Sequence, residues 1–200
     1  MTELLLATTN PGKQRELGRL LASLPARVVG PSDIGIAIEV DEPHHTYAEN
    51  ATAKADAYCR ASGRLTLADD SGLEVAALGW GPGVRTNRFG GPGVSDPVGH
   101  MLDRLSGATD RRARMVCCLA LAIPGGGDGQ PRIELFTGVM DGTVTMERTG
   151  AGGFGFDPIF RLPSGMTTAE LPEAEKDRIS HRGRAVAAAL PRLHELLALG

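Results

Sequence analysis

The chain has 200 residues, 42% of them hydrophobic, and a formal net charge of -3 at pH 7. This length and composition predict one globular domain spanning residues 1–200, and the slightly acidic balance argues against nucleic-acid binding, which needs a basic face. The longest apolar run, residues 115–123, is too short to cross a bilayer, so no membrane association is expected. Three cysteines without metal-ligand spacing indicate reduced core thiols and a cytoplasmic protein.

Hydrophobic periodicity predicts short strands and amphipathic helices in the first third of the chain. An alanine-rich helix begins after Thr46, and Glu49 completes a capping box three residues later. The predicted elements here are a strand at 4–7, a leucine-rich helix, a strand at 27–30, an apolar stretch at 34–40, a helix at 47–62 and a strand at 65–68.

The rest of the chain adds strands, a long loop and two helices. A Gly/Pro-rich segment is long enough to be a functional loop or lid. Asp141-Gly142 between two apolar runs predicts a hairpin. In order, we expect a loop at 79–93, a helix at 97–105, a central strand at 115–123, hairpin strands at 133–140 and 143–147, and a helix at 184–199. These elements predict an α/β fold with a mixed sheet.

Lysine is rare in this chain. Lys13, Lys54 and Lys176 stand against eighteen arginines, and each lysine lies among Asn, Glu, Asp, Ser or Gly residues. In a chain that strongly favours arginine, lysine is expected to remain where a compact point charge must reach a phosphate oxygen in a crowded site. The alternative is chance combined with codon bias.

Residues 8–13, Thr-Thr-Asn-Pro-Gly-Lys, lie between the first strand and the first helix. Backbone N–H groups and the helix dipole converge on an anion at such a position. The full P-loop spacing is absent and Gln14 follows the lysine, so the segment is not a P-loop. A plain turn in which Asn or Thr caps the helix is the structural alternative.

Asp69 and Asp70 follow a predicted buried strand and precede a Gly turn. One or two carboxylates suffice for magnesium, which fills its other positions with water and phosphate oxygens. Side chains alternate along a strand, so one aspartate is expected to face the metal while its neighbour supports the loop. Glu42 is the expected second ligand. An Asp-rich turn stabilised by its own backbone is the alternative.

Asn50 and Lys54 lie four residues apart on one face of the helix at 47–62. An Asn-Lys pair that faces a cleft suits phosphate oxygens. An exposed polar face is the commoner explanation of such a pair, and it stays open here.

Residues 152–158 place three glycines around Phe154. Glycine lets the backbone approach a ligand closely, the ring of Phe154 offers a stacking surface, and Asp157 accepts hydrogen bonds. A hairpin with a core Phe is the alternative.

Residues 175–184 form a charged run before the last helix. Ser180, His181 and Arg182 offer several donors to one acceptor-rich ligand, although Ser180 as a helix cap within a solvated charge run is the plainer interpretation. His44 and His45 lack further Cys or His at ligand spacing, which argues against zinc.

Taken together, five motifs resemble the inosine triphosphate pyrophosphatase family, in order from residue 4 to about residue 184. The motifs are Thr8-Thr9-Asn10 with Gly12-Lys13, Thr46-Tyr47 and Glu49-Asn50 with Lys54, Ala68-Asp69-Asp70-Ser71-Gly72, Gly153-Phe154-Gly155-Phe156-Asp157-Pro158, and Ser180-His181-Arg182. The resemblance implies a two-lobed α/β fold with a long central mixed sheet and a cleft between the lobes. It also implies a homodimer and Mg²⁺-dependent hydrolysis of ITP, dITP and XTP to the monophosphate and pyrophosphate.

Carried over by position, the resemblance implies roles for individual residues. It implies that Asp70 is the proton acceptor and that Asp70 and Glu42 bind the metal. Asp69, Lys13 and Lys54 complete the expected catalytic group. The expected substrate-binding residues are Thr8, Thr9, Asn10, Pro11, Gly12, Lys13, Asn50, Ser71, Phe154, Gly155, Phe156, Asp157, Lys176, His181 and Arg182.

Three functions stay open on the sequence. The favoured one removes deaminated purine nucleotides from the nucleotide pool. A second is a pyrophosphatase that acts on other modified nucleotides, and a third is a non-enzymatic nucleotide sensor. The acidic pair around Asp70 argues against the sensor.

Overall fold

The computed structural model describes residues 2–125 and 129–198. The described residues form a mixed α/β fold, which confirms the predicted fold class. The strands are β1 (Glu3–Leu6), β2 (Arg27–Val29), β3 (Leu65–Val75), β4 (Gly81–Pro82), β5 (Arg112–Ile123), β6 (Arg132–Val144) and β7 (Phe160–Arg161). The α-helices are α1 (Pro11–Leu20), α2 (Tyr47–Ser62), α3 (Pro97–Arg104), α4 (Glu173–Ile179) and α5 (His181–Ala198). None of the helices in these residues combines the length and the apolar character that a membrane span requires.

The strands form one mixed sheet in the order β2-β1-β3-β5-β6-β7, with β4 paired to β3. Strand β1 runs parallel to both β2 and β3. The short strands β4 and β7 run antiparallel to β3 and β6, respectively. Strand β1 ends at Leu6, which pairs with Leu67 of the parallel strand β3, so the polar residues that follow β1 start close to the point where Asp69 and Asp70 follow Leu67 within β3.

The chain divides into two compact units. The first comprises the described residues of Met1–Asp70, Cys117–Gly138 and Arg182–Gly200, and the second comprises Ser71–Val116 and Val139–His181. Strands β3, β5 and β6 contribute residues to both units. The expectation of one domain over residues 1–200 stays a prediction.

In the first unit, alternate strand residues pack against different helices. One set of strand residues is buried with leucines of α1 and apolar residues of α5, and the other set is buried with α2. The first set includes Leu4, Leu6, Leu67, Leu119 and Leu121, and the second includes Leu5, Ala68, Ala120 and Ala122. Helices therefore cover both faces, which explains why these strands read as continuous apolar runs.

The second unit has its own buried cluster. It joins Leu73 and Val75 of β3 to Met101 and Leu105 at α3. It also includes residues of β5, β6 and the Phe156–Phe160 segment, namely Ala113, Met115, Met140, Val144, Phe156, Ile159 and Phe160. The fully buried Phe160 is among the largest side chains in this core.

The predicted strand at 65–68 was too short. Strand β3 continues through Ser71 and Gly72 to Val75, because Leu73 and Val75 are buried in the core of the second unit. The prediction of a Gly turn after the acidic pair is therefore wrong. Asp69 and Asp70 lie inside a strand, where side chains alternate strictly.

The predicted hairpin at Asp141-Gly142 is also wrong, since β6 runs unbroken from Arg132 to Val144. Gly142 serves close packing instead of a turn. A Cβ at this position would lie 2.7 Å from Cε1 of Phe160, which is closer than real Cβ contacts. The glycine thus makes room for the ring beside the strand.

Three smaller differences concern segment boundaries. The apolar stretch at 34–40 forms no strand, and only Ile34 belongs to a 3₁₀ helix, Ser32–Ile34. The predicted loop at 79–93 contains β4 and a 3₁₀ helix at Gly83–Arg88. The charged run at 175–184 is largely helical, because α4 ends at Ile179 and α5 already begins at His181.

The predicted cap of α2 is confirmed. Oγ1 of Thr46 accepts the N–H of Glu49 at 3.2 Å and donates to its carboxylate at 2.7 Å. We expect Thr46→Ala to lower the free energy of unfolding by about 1 kcal/mol, because an orphan N–H of the first turn loses its acceptor. Urea unfolding measures this, with Thr46→Ser as the control that keeps the hydroxyl. Equal stability of the Ala and Ser variants would contradict the assignment.

Candidate active site

Asp69 and Asp70 are both buried, and they face different helices. Asp69 contacts Lys13 of α1 at 3.0 Å and Arg182 of α5 at 3.5 Å. Asp70 instead accepts a hydrogen bond from Nδ2 of Asn50, on α2, at 3.1 Å. This confirms the expectation that neighbouring strand residues point opposite ways.

The Asp69 side is a buried ion-pair network within the first unit. Arg182 contacts both Asp69 and Glu16 of α1. Burial by itself raises the pKa of Asp69, but the positive charges of Lys13 and Arg182 outweigh it, and the pKa lies well below its usual range. Asp69 is therefore an anion that fixes the ammonium group of Lys13 in the first turn of α1.

Glu16 was absent from the residues predicted from the sequence. It lies three residues after Lys13 and beside the buried Leu17. A carboxylate on the apolar face of α1 was the sequence signal that could have indicated a buried ion pair. Arg182 was expected at the substrate. Its guanidinium is buried between two carboxylates, and direct contact with a nucleotide stays a prediction.

The Asp70 side carries the predicted metal ligands. Burial raises the pKa of Asp70 above its usual value, and the nearby Glu42 carboxylate raises it further, although Asn50, Lys13 and Lys54 act in the opposite direction. Glu42 itself forms an ion pair with Lys54. A buried carboxylate with a raised pKa has a greater affinity for a proton, which suits a general base.

Asp70 and Glu42 fit a magnesium ion chemically. Both supply hard carboxylate oxygens. The charge of a divalent cation would offset the cost of burying the ionised Asp70 and its repulsion by Glu42, the two effects that raise the pKa of Asp70. Across residues 2–125 and 129–198, no group of three or more His, Cys, Asp or Glu side chains is arranged to hold a metal ion. Two carboxylates are nevertheless sufficient for magnesium, which takes phosphate and water oxygens as its remaining ligands.

Residues 8–13 form the turn that begins α1. Oδ1 of Asn10 accepts the N–H groups of Gly12 at 2.9 Å and Lys13 at 3.1 Å, so Asn10 is the N-cap. Nε2 of Gln14 donates to the carbonyl oxygen of Thr8 at 2.9 Å and fixes the start of the turn. Asn10 therefore caps α1, and its contact with substrate stays a prediction. Thr9 and Pro11 are exposed, and their contact with substrate stays a prediction.

The second unit contains a separate polar cluster centred on Asp157. Its carboxylate accepts the N–H of Phe154 at 2.7 Å, the hydroxyl of Thr168 at 2.8 Å and the ammonium of Lys176 at 2.6 Å. Nζ of Lys176 also lies 5.3 Å from the ring centroid of Phe154. Gly153 has a φ of +70° and leaves no room for a Cβ beside Asp157, so glycine is required there.

The predicted site residues fall into two sets, one in each unit. The first unit holds Thr8, Thr9, Asn10, Pro11, Gly12, Lys13, Glu42, Asn50, Lys54, Asp69, Asp70 and Arg182, and the second holds Ser71, Phe154, Gly155, Phe156, Asp157, Lys176 and His181. Thr168, which orients Asp157, was not predicted, because a threonine in a turn carries no signal of its own.

Each of the three lysines contacts a carboxylate of the predicted site. The pairs are Lys13 with Asp69, Lys54 with Glu42, and Lys176 with Asp157. All three lysine side chains are mostly buried, and that position agrees with the inference that lysine was retained for crowded sites.

We expect Lys176→Met to lower the free energy of unfolding by about 3–5 kcal/mol, because it leaves the buried carboxylate of Asp157 without its cation. Urea unfolding measures the change. The matched control is Arg112→Met, which removes one partner of the exposed pair with Asp110 and should leave stability unchanged. Similar effects of the two substitutions would show that the buried pair contributes no special stabilisation.

The three cysteines are free and buried, as expected. Burial raises the pKa of each thiol, so Cys59, Cys117 and Cys118 are protonated at neutral pH. A protonated, buried thiol is a poor nucleophile. The described residues therefore offer no cysteine suited to covalent catalysis.

Comparison with known proteins agrees with the motifs. A family model described as the Ham1 family matches residues 4–192. A dITP/XTP pyrophosphatase of Syntrophobacter fumaroxidans is 44% identical over 186 residues, covering 92% of this chain and 78% of the relative. Another, from Chromobacterium violaceum, is 44% identical over 197 residues, covering 97% of this chain and 98% of the relative.

The solved structures lead to the same family. A HAM1 protein from Coxiella burnetii matches with a TM-score of 0.82 and 35% identity, over the whole of both chains. The Staphylococcus aureus Ham1 protein matches with a TM-score of 0.79 and 34% identity, over 98% of each chain. The resemblance drawn from the five motifs is confirmed, and the chain belongs to the Ham1 family.

Proposed function

We propose that this protein is a nucleoside-triphosphate pyrophosphatase that hydrolyses noncanonical purine nucleotides, namely ITP, dITP and XTP, to the monophosphate and pyrophosphate. The observation that carries the proposal is the buried group in the first unit, where Asp70 lies beside Asn50 while Lys13 and Lys54 are held by carboxylates. The names of the relatives that are 44% identical to this chain support the substrate class.

The reaction needs one proton acceptor and no covalent nucleophile. The oxygen of a water molecule bonds to the α-phosphorus, the bond from that phosphorus to the bridging oxygen of the β-phosphate breaks, and pyrophosphate leaves. Asp70 takes the proton of the water, and its raised pKa favours that step. General-base catalysis of this kind contributes roughly 10²- to 10⁴-fold to the rate.

Positive charge must offset the charge that develops on the leaving pyrophosphate. Lys13 and Lys54 supply two compact ammonium groups, which Asp69 and Glu42 hold in place. Magnesium, which Asp70 and Glu42 would hold, supplies further positive charge at the phosphate oxygens when bound. The resemblance assigns purine recognition to Phe154–Asp157, Lys176, His181 and Arg182, and we retain that assignment in the proposal.

Lys13→Arg and Lys54→Arg should each lower kcat/KM by about 10-fold or more, equivalent to about 1.4 kcal/mol of transition-state stabilisation. The charge is kept, but a planar guanidinium is too large for the place of an ammonium beside Asp69 or Glu42. Steady-state kinetics with ITP measure the effect. The control Arg112→Lys exchanges the same cations at an exposed position and should leave kcat/KM unchanged. Wild-type kinetics in both lysine variants would refute the point-charge argument.

The proposed setting is a reducing cytoplasm, with the enzyme as a homodimer that removes deaminated purines from the nucleotide pool. The three free cysteines suit such a compartment. The net charge of -3 and the small cationic groups suit a nucleotide better than a nucleic acid.

A nucleotide panel tests the proposed function. The purified protein is incubated with ITP, dITP, XTP, GTP and ATP, with and without Mg²⁺, and the phosphate products are identified. We expect stoichiometric pyrophosphate from ITP, dITP and XTP, only with a divalent metal. Full turnover in EDTA, or stepwise release of orthophosphate, would refute the proposal. Nucleotide binding without turnover would favour the sensor.

A further inference from the structure

Asn50 lies in the first turn of α2 and is buried in the first unit. Its carboxamide bonds to two different segments. Oδ1 accepts the backbone N–H of His44 at 3.1 Å, and Nδ2 donates to the carbonyl oxygen of His44 at 3.4 Å. Nδ2 also donates to Oδ2 of Asp70 at 3.1 Å. One side chain therefore joins the backbone two residues after Glu42 to the carboxylate of Asp70.

We propose that Asn50 is a positioning residue. It holds the segment that carries Glu42, residues 35–45, in a fixed position relative to the carboxylate of Asp70. The inference rests on the proposed function, because it gives Asn50 a role in keeping the two expected metal ligands together. It replaces the expectation that Asn50 binds substrate phosphates directly.

The segment needs such anchors, because residues 35–45 form neither helix nor strand. Three side chains of α2, spaced four residues apart on one helical face, contact it in sequence. The contacts are Asn50 to His44, Lys54 to Glu42, and Tyr58 to the carbonyl oxygen of Ile38 at 3.1 Å. The segment thus runs along α2, and Asn50 is the anchor that also reaches the strand bearing Asp70.

The hydrogen-bonding capacity of the amide argues against a phosphate contact. An Asn side chain has two N–H donors, and in Asn50 they serve His44 and Asp70. A phosphate oxygen would have to displace one of these acceptors from a buried position. A bound phosphate would therefore weaken the arrangement of the carboxylates that the reaction needs.

The position requires both a donor and an acceptor on one short side chain. Aspartate at position 50 would keep the acceptor for His44 but would place a second carboxylate beside Asp70. Leucine has a similar volume and can make none of the three bonds. These two substitutions therefore separate the two halves of the contact.

The test compares Asn50→Leu and Asn50→Asp with Asn87→Asp, a matched change at an exposed asparagine. Four quantities are measured: amide hydrogen exchange of peptides covering residues 42–46, the affinity for Mn²⁺ without nucleotide, kcat for ITP and KM for ITP. In Asn50→Leu we expect faster exchange at residues 42–46 with unchanged exchange in β1 and β5. We also expect roughly 10- to 100-fold losses in Mn²⁺ affinity and kcat, as for other residues that orient metal ligands, with KM nearly unchanged.

Asn50→Asp should keep the exchange of residues 42–46 close to wild type and still lower kcat, because its carboxylate repels Asp70. If Asn50→Leu fails to fold, Asn50→Asp by itself tests the inference, and a wild-type kcat in Asn50→Asp would overturn it. Unchanged exchange and Mn²⁺ affinity in Asn50→Leu would also overturn it, as would a raised KM with unchanged kcat, which marks a direct phosphate ligand. If the unmodified protein hydrolyses no nucleotide, the proposed function fails, and the exchange and Mn²⁺ measurements still decide the role of Asn50.

Discussion

Asp70→Asn should abolish measurable pyrophosphatase turnover, with a loss of at least roughly 10²- to 10⁴-fold from the missing general base. The substitution keeps the shape of the side chain and an oxygen that can accept the hydrogen bond of Asn50. Because burial raises the pKa of Asp70, the ionised carboxylate destabilises the folded protein at neutral pH. The inactive variant is therefore expected to be at least as stable as the unmodified protein. Initial rates with ITP and urea unfolding measure the two effects.

Asp69→Asn is the matched control, because it makes the same change one residue earlier. The pKa of Asp69 is lowered, so its charge stabilises the folded state at any pH above the pKa of an unfolded aspartate, about 4. Its loss should destabilise the protein by about 3–5 kcal/mol at pH 7, as for other broken buried pairs. This difference should shrink as the pH falls below about 4, where the unfolded state gains a proton. An active Asp70→Asn enzyme would move the base elsewhere, and equal stability of the two variants would contradict the assigned environments.

We expect the unmodified protein to discriminate strongly between purine bases, as measured by the ratio of kcat/KM for different nucleotides. Hypoxanthine and xanthine present an O6 acceptor and an N1–H donor, whereas adenine presents an N6 amino donor and no N1–H. A pocket whose donors are built for O6 leaves them unpaired against adenine, which discriminates on the order of 10⁴-fold. Guanine shares O6 and must be rejected through its 2-amino group. We expect kcat/KM for ITP and XTP well above GTP, and GTP at or above ATP.

Three substitutions test the assignment of this recognition. Phe154→Ala should raise KM for every base through lost stacking, and His181→Ala should weaken the ranking of bases. Arg182→Ala should also weaken the ranking, but it removes the cation between Glu16 and Asp69 as well. Its unfolding must therefore be measured beside its kinetics. Similar kcat/KM for ATP and ITP in the unmodified protein would refute the pocket and favour a general nucleotide pyrophosphatase.

The sequence by itself determined the local features of this protein. The cap at Thr46 and the helix that follows it were predicted at their observed bounds, because capping and helical periodicity depend on residues within a few positions. The opposite orientations of Asp69 and Asp70 also followed from strand alternation alone. The five motifs were sufficient to identify the family.

Only the tertiary structure decided which of these residues meet. Arg182 pairs with Glu16 across 166 residues of sequence, and no local pattern predicts a partner so distant. The hairpin at Asp141-Gly142 failed for the same reason, since the glycine is explained by the ring of Phe160, which packs against it from another strand. Buried charges and close-packed rings select their neighbours through strand order and helix placement. These contacts depend on the tertiary arrangement of the sheet and helices, and local sequence propensity therefore cannot predict them.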